Sequence, residues 1–257
     1  MSPDENAALA RRLLGLLDLT NLESSCGPAD IKALCAKAVD PHGKVAAVCL
    51  WPQFVGEAKR ALAEEGIRIA TVVNFPAGGE DLERVLDDIG EALHDGADEI
   101  DLVLPYKAFL RGDANLAADM VREAKGVIGD ERPLKVILET GAFPDAMAIA
   151  AASRLAVAAG ADFLKTSTGK IPVSATPEAA KAMLAVIREV GRPVGFKASG
   201  GIRTLADATL YLGLAEDVMG RGWATPATFR IGASSLHGAL LAAIDGAAPA
   251  APAKGGY

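Results

Sequence analysis

Few folds accommodate a chain in which short apolar runs alternate with amphipathic stretches along nearly the whole length, one run every roughly 25 to 35 residues. That interval is the length of a strand followed by a helix. The runs are "GLLDLT" (15–20), "VAAVCLW" (45–51), "RIATVVNF" (68–75), "EIDLVL" (99–104), "LKVILET" (134–140), "ADFLKTS" (161–167), "VGFKAS" (194–199) and "FRIGASS" (229–235). Several are continuously apolar rather than alternating, as expected of parallel strands covered by helices. Eight such units in 257 residues predict a single α/β domain, a (β/α)8 TIM barrel. The first strand carries an ambiguity, because "LLGLLDLT" could also end a preceding helix. An open doubly wound sheet is the competing architecture, but no GxGxxG follows the first convincing strand.

The stretches between the runs read as helices. In "GEDLERVLDDIGEALHDG", Leu82, Val85, Leu86, Ile89 and Leu93 recur at three and four. In "ATPEAAKAMLAVIREVG", Thr176 can cap, Pro177 takes the first helical position and Glu178 complements the dipole. "MSPDENAALARRLLGLL" opens with Pro3 and acidic residues, which predicts an extra N-terminal helix and not a secretory signal. The domain is expected to span residues 1–245. Residues 246–257, "GAAPAAPAKGGY", are expected to form a flexible C-terminal tail ending in Tyr257.

Composition narrows the partners. With 51% hydrophobic and 23% charged residues the chain reads as a soluble globule, and no apolar run is long enough to span a bilayer. A net charge of -7 argues against a nucleic-acid surface while leaving room for a local basic pocket that holds one phosphate. Cys26, Cys35 and Cys49 lack CxxC spacing, which favours reduced thiols and a cytoplasmic location. Cys35 follows the apolar spacing of a helix core, and Cys49 reads as a packed strand residue. His42, His94 and His237 have no metal-site spacing, so no metal is expected.

In an eight-stranded barrel, functional groups collect at the C-terminal ends of the strands. Asp101 in "DEIDLVLP", Lys165 in "FLKTSTGK" and Lys197 in "GFKASGG" are the polar residues that interrupt apolar runs there. Alternation lets all three face inward, with Glu99 on the side of Asp101. Two lysines and a carboxylate in a confined, low-dielectric mouth favour a neutral lysine, through desolvation and through the second ammonium. A neutral lysine is a nucleophile suited to Schiff-base chemistry, and Asp101 could move the protons that such chemistry needs. Beyond the seventh and eighth strands, "KASGGIRT" and "FRIGASSL" carry Gly200, Gly201, Gly232, Ser234 and Ser235, where backbone N–H groups at a helix start converge on an anion. Lys170, after Gly169, adds a positive charge. Asp18, Thr20, Asn74 and Glu139 also lie at strand ends, where each could orient water or substrate or simply cap a loop.

Taken in order, "TVVNFP", "DEIDLVLPY", "LKVILETG", "FLKTSTGK", "GFKASGGIRT" and "GASSL" resemble the deoxyribose-phosphate aldolase family over nearly the whole chain. The resemblance implies a class I aldolase, without metal or other cofactor, that reversibly cleaves 2-deoxy-D-ribose 5-phosphate into acetaldehyde and D-glyceraldehyde 3-phosphate in deoxyribose phosphate catabolism. It implies Lys165 as Schiff-base nucleophile, Lys197 as the neighbouring cation that lowers its pKa, and Asp101 as the proton-relay carboxylate. Gly169, Lys170, Gly200, Gly201, Gly232, Ser234 and Ser235 are assigned to the phosphate. A tail ending in tyrosine also resembles some members, in which the terminal phenol assists the proton step, and gives Tyr257 its expected role. A homodimer is the expected assembly.

Overall fold

The computed structural model describes residues 2–247. The predicted tail from residue 248 onward, with Tyr257, lies outside the described residues. Eight parallel strands close on themselves: β1 (Leu17–Asn21), β2 (Ala47–Leu50), β3 (Arg68–Val73), β4 (Glu99–Val103), β5 (Leu134–Ile137), β6 (Phe163–Lys165), β7 (Gly195–Ser199) and β8 (Phe229–Ala233). Each pairs with its neighbours in sequence, and β1 closes the ring against β8. Most positions in these strands are buried, because one side packs on the helices and the other fills the barrel.

The N-terminal helix α1 (Pro3–Leu14) starts at a capping box, with the Ser2 hydroxyl accepting from the Glu5 N–H and the Glu5 carboxylate accepting from the Ser2 N–H. It ends at Gly15, which resolves the ambiguity of "LLGLLDLT": the helix stops, and β1 begins at Leu17. The outer layer continues with α2 (Pro28–Ala38), α3 (Val55–Ala61), α4 (Leu82–His94), α5 (Tyr106–Leu110), α6 (Ala114–Ile128), α7 (Ala146–Ala158), α8 (Pro177–Glu189), α9 (Leu205–Met219) and α10 (Leu236–Ile244). In α8, Thr176 caps the Ala179 N–H and Pro177 holds the first position, as the sequence predicts. Of the α4 stripe, Val85 and Ile89 are buried and Leu82, Leu86 and Leu93 are half-buried, and Cys35 is buried in α2. A short antiparallel pair, residues 39–40 with 43–44, has no counterpart in the sequence reading.

Candidate active site

Strand register brings the charged residues together. Lys165 in β6, Lys197 in β7 and Arg230 in β8 lie side by side, as do Asp101 in β4 and Lys135 in β5. Neighbours in a parallel register share a face, and here the shared face is the barrel interior. Asp101 lies at the centre. Its Oδ2 accepts from Lys165 Nζ at 2.8 Å and from Lys197 Nζ at 2.8 Å, while its Oδ1 accepts from Lys135 Nζ at 2.7 Å. The network continues below it. Lys135 Nζ is 2.6 Å from Glu99 Oε2, Lys197 Nζ is 2.5 Å from Asp18 Oδ2, and Arg230 contacts both Asp18 Oδ1 at 2.6 Å and Glu99 Oε1 at 2.9 Å.

All of these side chains are buried, and Asp18, Asp101, Lys135, Lys165 and Lys197 are each 0% exposed. Burial disfavours every charge, and mutual pairing offsets that cost. Burial alone would raise the Asp101 pKa, but Lys135, Lys165 and Lys197 outweigh it and hold the carboxyl well below the ordinary range. Asp18 is likewise depressed against its burial, by Lys197 and Arg230. Burial works against the charge on Lys197 too, yet Asp101 and Asp18 push its pKa well above that of a free lysine, so Lys197 stays a cation.

Two glycines make room for these groups. A Cβ on Gly232 would lie 2.9 Å from Lys197 Cε and 3.1 Å from Ser199 Cβ, so this residue faces the interior and admits the Lys197 side chain. Its grouping with the phosphate loop in the sequence therefore overlooks a packing role. A Cβ on Gly195 would meet the Phe163 ring at 2.3 Å.

The loops above the strands supply the second half of the site. Gly169, Gly200 and Gly201 have φ of 75°, 88° and 83°, the left-handed region open to glycine. A Cβ on Gly200 would lie 2.6 Å from Ser174 Cβ and 3.2 Å from Gly169 Cα, so the loops after β6 and β7 are pressed together. Ser234 and Ser235 precede α10, and the buried Ser235 Oγ has no hydrogen-bond partner in the protein, a group suited to an incoming ligand. Lys170 Nζ stands 3.8 Å from Glu23 Oε1, across the mouth from the β1 loop.

The remaining strand-end candidates divide. Asp18 joins the ion network, and Thr20 donates to the Asp18 carbonyl. Asn74 bonds the backbone of Gly79 and Val103, which makes it a loop clamp. Glu139 accepts from the Thr168 N–H and hydroxyl, and burial raises its pKa. Cys49 packs with Leu22, Ala70 and Val72, and burial raises its thiol pKa.

The model of the DeoC/LacD family aldolases matches residues 12–236, which hold the whole of this network and both phosphate-type loops. The chain belongs to that aldolase family. A curated deoxyribose-phosphate aldolase of Agrobacterium fabrum is 50% identical over 254 residues, covering 98% of this chain and 97% of that protein. Among solved structures, a Toxoplasma gondii ME49 protein assigned as a deoxyribose-phosphate aldolase superposes with TM-score 0.86 at 25% identity, covering 95% of this chain and 96% of its own. The tetrameric deoxyribose phosphate aldolase of Aeropyrum pernix superposes with TM-score 0.74 at 25% identity, over 94% and 98% of the two chains.

Within this family member, Lys135 and Arg230 are the site residues that the sequence reading passed over. Their signal was the one that marked Lys165: a basic residue inside an apolar strand run, "LKVIL" and "FRIGA". Among the described residues, no group of three or more His, Cys, Asp or Glu is arranged to hold a metal ion, and no helix is long and apolar enough to cross a membrane.

Proposed function

We propose that this chain is a class I deoxyribose-phosphate aldolase that reversibly cleaves 2-deoxy-D-ribose 5-phosphate to acetaldehyde and D-glyceraldehyde 3-phosphate. The observation that carries this reading is the sharing of Asp101 Oδ2 between Lys165 and Lys197, at 2.8 Å from each amine. Lys197, bound also to Asp18, keeps its proton, and its charge favours the neutral form of Lys165. Neutral Lys165 attacks C1 of the open-chain sugar and water leaves, giving an iminium. Loss of the C3 hydroxyl proton breaks the C2–C3 bond, and the electron pair moves into the iminium to leave an enamine of acetaldehyde on Lys165. Protonation of the enamine and addition of water release acetaldehyde and restore the amine.

Asp101 is the proton-relay group in this scheme. Its lowered pKa makes it a poor free base, so it works as a bridge that accepts hydrogen bonds from Lys165 and Lys197. The side chain of Lys165 is 1% exposed, so the amine turns from Asp101 towards the mouth to reach a carbonyl. The phosphate is held by Gly169, Lys170, Gly200, Gly201, Ser234 and Ser235, with Gly232 contributing through its backbone; the unpartnered Ser235 Oγ supports this assignment. A carboxylate placed there repels the phosphate, so Ser235→Asp raises KM for the phosphorylated substrate tenfold or more, about 1.4 kcal/mol per tenfold, with kcat little changed. Tyr257 is assigned the enamine proton step.

The reading also takes residues 1–245 as the catalytic domain and the cytoplasm as the compartment, the latter supported by three free cysteines. A homodimer is the proposed assembly; sedimentation velocity separates it from the tetramer of the Aeropyrum pernix relative. Retro-aldol assays across phosphorylated aldoses and ketoses test the function. Cleavage of 2-deoxyribose 5-phosphate above the others is expected, and a preference for a ketose phosphate overturns the assignment.

A further inference from the structure

Arg230 stands at the floor of the barrel, away from the loops that hold the phosphate. It lines a depression on the N-terminal face together with Glu99, Arg68 and Gly195, and it is only 5% exposed. All three of its guanidinium nitrogens are engaged: Nε donates to the Pro226 carbonyl, Nη1 to Asp18 and Nη2 to Glu99.

Those charges form one connected set. Asp18, Glu99 and Asp101 are its three carboxylates, and Lys135, Lys165, Lys197 and Arg230 are its four basic groups. If every member is ionised, the buried set carries one positive charge in excess. Release of a proton from one lysine removes that excess, and Lys165 is the lysine whose neutral form the Schiff-base reading requires. Glu139, just beyond β5, and Cys49 in β2 also act on Lys165, and burial raises the pKa of each.

We propose that Arg230 is a positioning residue for the aldol reaction, supplying from the floor of the barrel the positive charge that favours neutral Lys165. This rests on the Schiff-base reading above. Lys165, Lys197 and Arg230 share one register row across three adjacent strands, so Arg230 lies roughly 10 Å from Lys165 at the backbone. In a screened protein interior a unit charge at that range moves an ionisation by about one pH unit.

The test is the pH profile of kcat/KM for retro-aldol cleavage in three variants. Arg230→Met keeps the bulk of the side chain, leaves Asp18 with Lys197 and Glu99 with Lys135, and removes the charge. Its acidic limb should move up by about half to one pH unit. Arg230→Lys restores the charge and should return the limb towards wild type. Glu99→Gln removes a negative charge from the same set, and its limb should move down. Opposed shifts of these signs cannot come from loosened packing, which would lower activity at every pH. If Arg230→Met does not fold, the direction of the Glu99→Gln shift decides. An unmoved limb in folded Arg230→Met, or a shift of Glu99→Gln upward, overturns the proposal. Wild-type protein that forms no imine overturns the function reading instead, so the two failures are distinguishable.

Discussion

Removing the Lys197 charge is the most informative single-residue change near the proposed nucleophile, Lys165. Without it, Lys165 sits beside Asp101 with no competing cation on Oδ2, and the carboxylate then favours the protonated amine. Lys197→Leu is therefore expected to lose nearly all turnover at neutral pH and to recover part of it as the pH rises, measured by retro-aldol kcat between pH 7 and 10. Equal loss at every pH would show that Lys197 acts otherwise. The sequence made Lys165, Lys197 and Asp101 legible because each interrupts an apolar run, although only Lys165 ends its strand, while Asp101 and Lys197 sit at the middle of β4 and β7. Lys135 and Arg230 interrupt their runs as well, but at the second residue of the strand, where a basic side chain reads as a solvated edge. Only the closed register reveals that both point into the barrel and make ion pairs there.

At the scale of the elements, the period of the chain revealed the strands, and their ends were less legible. The run 161–167 reads as one strand, but the ladder holds only Phe163–Lys165, and Thr166 to Lys170 form the loop beyond it. Polar strand ends satisfy their backbone groups through side chains: the Thr166 hydroxyl accepts from the Ser199 N–H and donates to the Ser199 carbonyl. No local pattern encodes such pairing between distant loops. Gly232 illustrates a different gap, since a glycine in "FRIGASS" reads as a turn while its space is taken by Lys197 from the neighbouring strand. Gly232→Ala puts a methyl 2.9 Å from Lys197 Cε and displaces that ammonium from Asp101. The expected outcome is a kcat loss of on the order of tenfold or more with a smaller change in KM, the signature of a lost transition-state interaction. A pure KM effect would return Gly232 to the phosphate site alone.

For the molecule as a whole, the closed barrel is what keeps so many charges out of water, and its stability should carry their titration. Asp18 and Asp101 have native pKa values below those of the unfolded chain, near 3.9. Their stabilisation is present above that value and is lost as pH falls through the native ones, because the unfolded chain then binds more protons. Lys197 is shifted upward, so its contribution is full below about pH 10 and lost only beyond it. Urea midpoints of Asp18→Asn should therefore fall less steeply than wild type below about pH 4; parallel curves would mean that Asp18 is not depressed. The central claim is that one lysine at the top of this barrel bonds to substrate, and borohydride reduction in the presence of 2-deoxyribose 5-phosphate, followed by peptide mass mapping, tests it most directly. The account predicts a stable adduct on Lys165 that is absent from Lys165→Leu. An adduct on Lys197 or Lys135, or none from folded protein that binds the sugar phosphate, would contradict it.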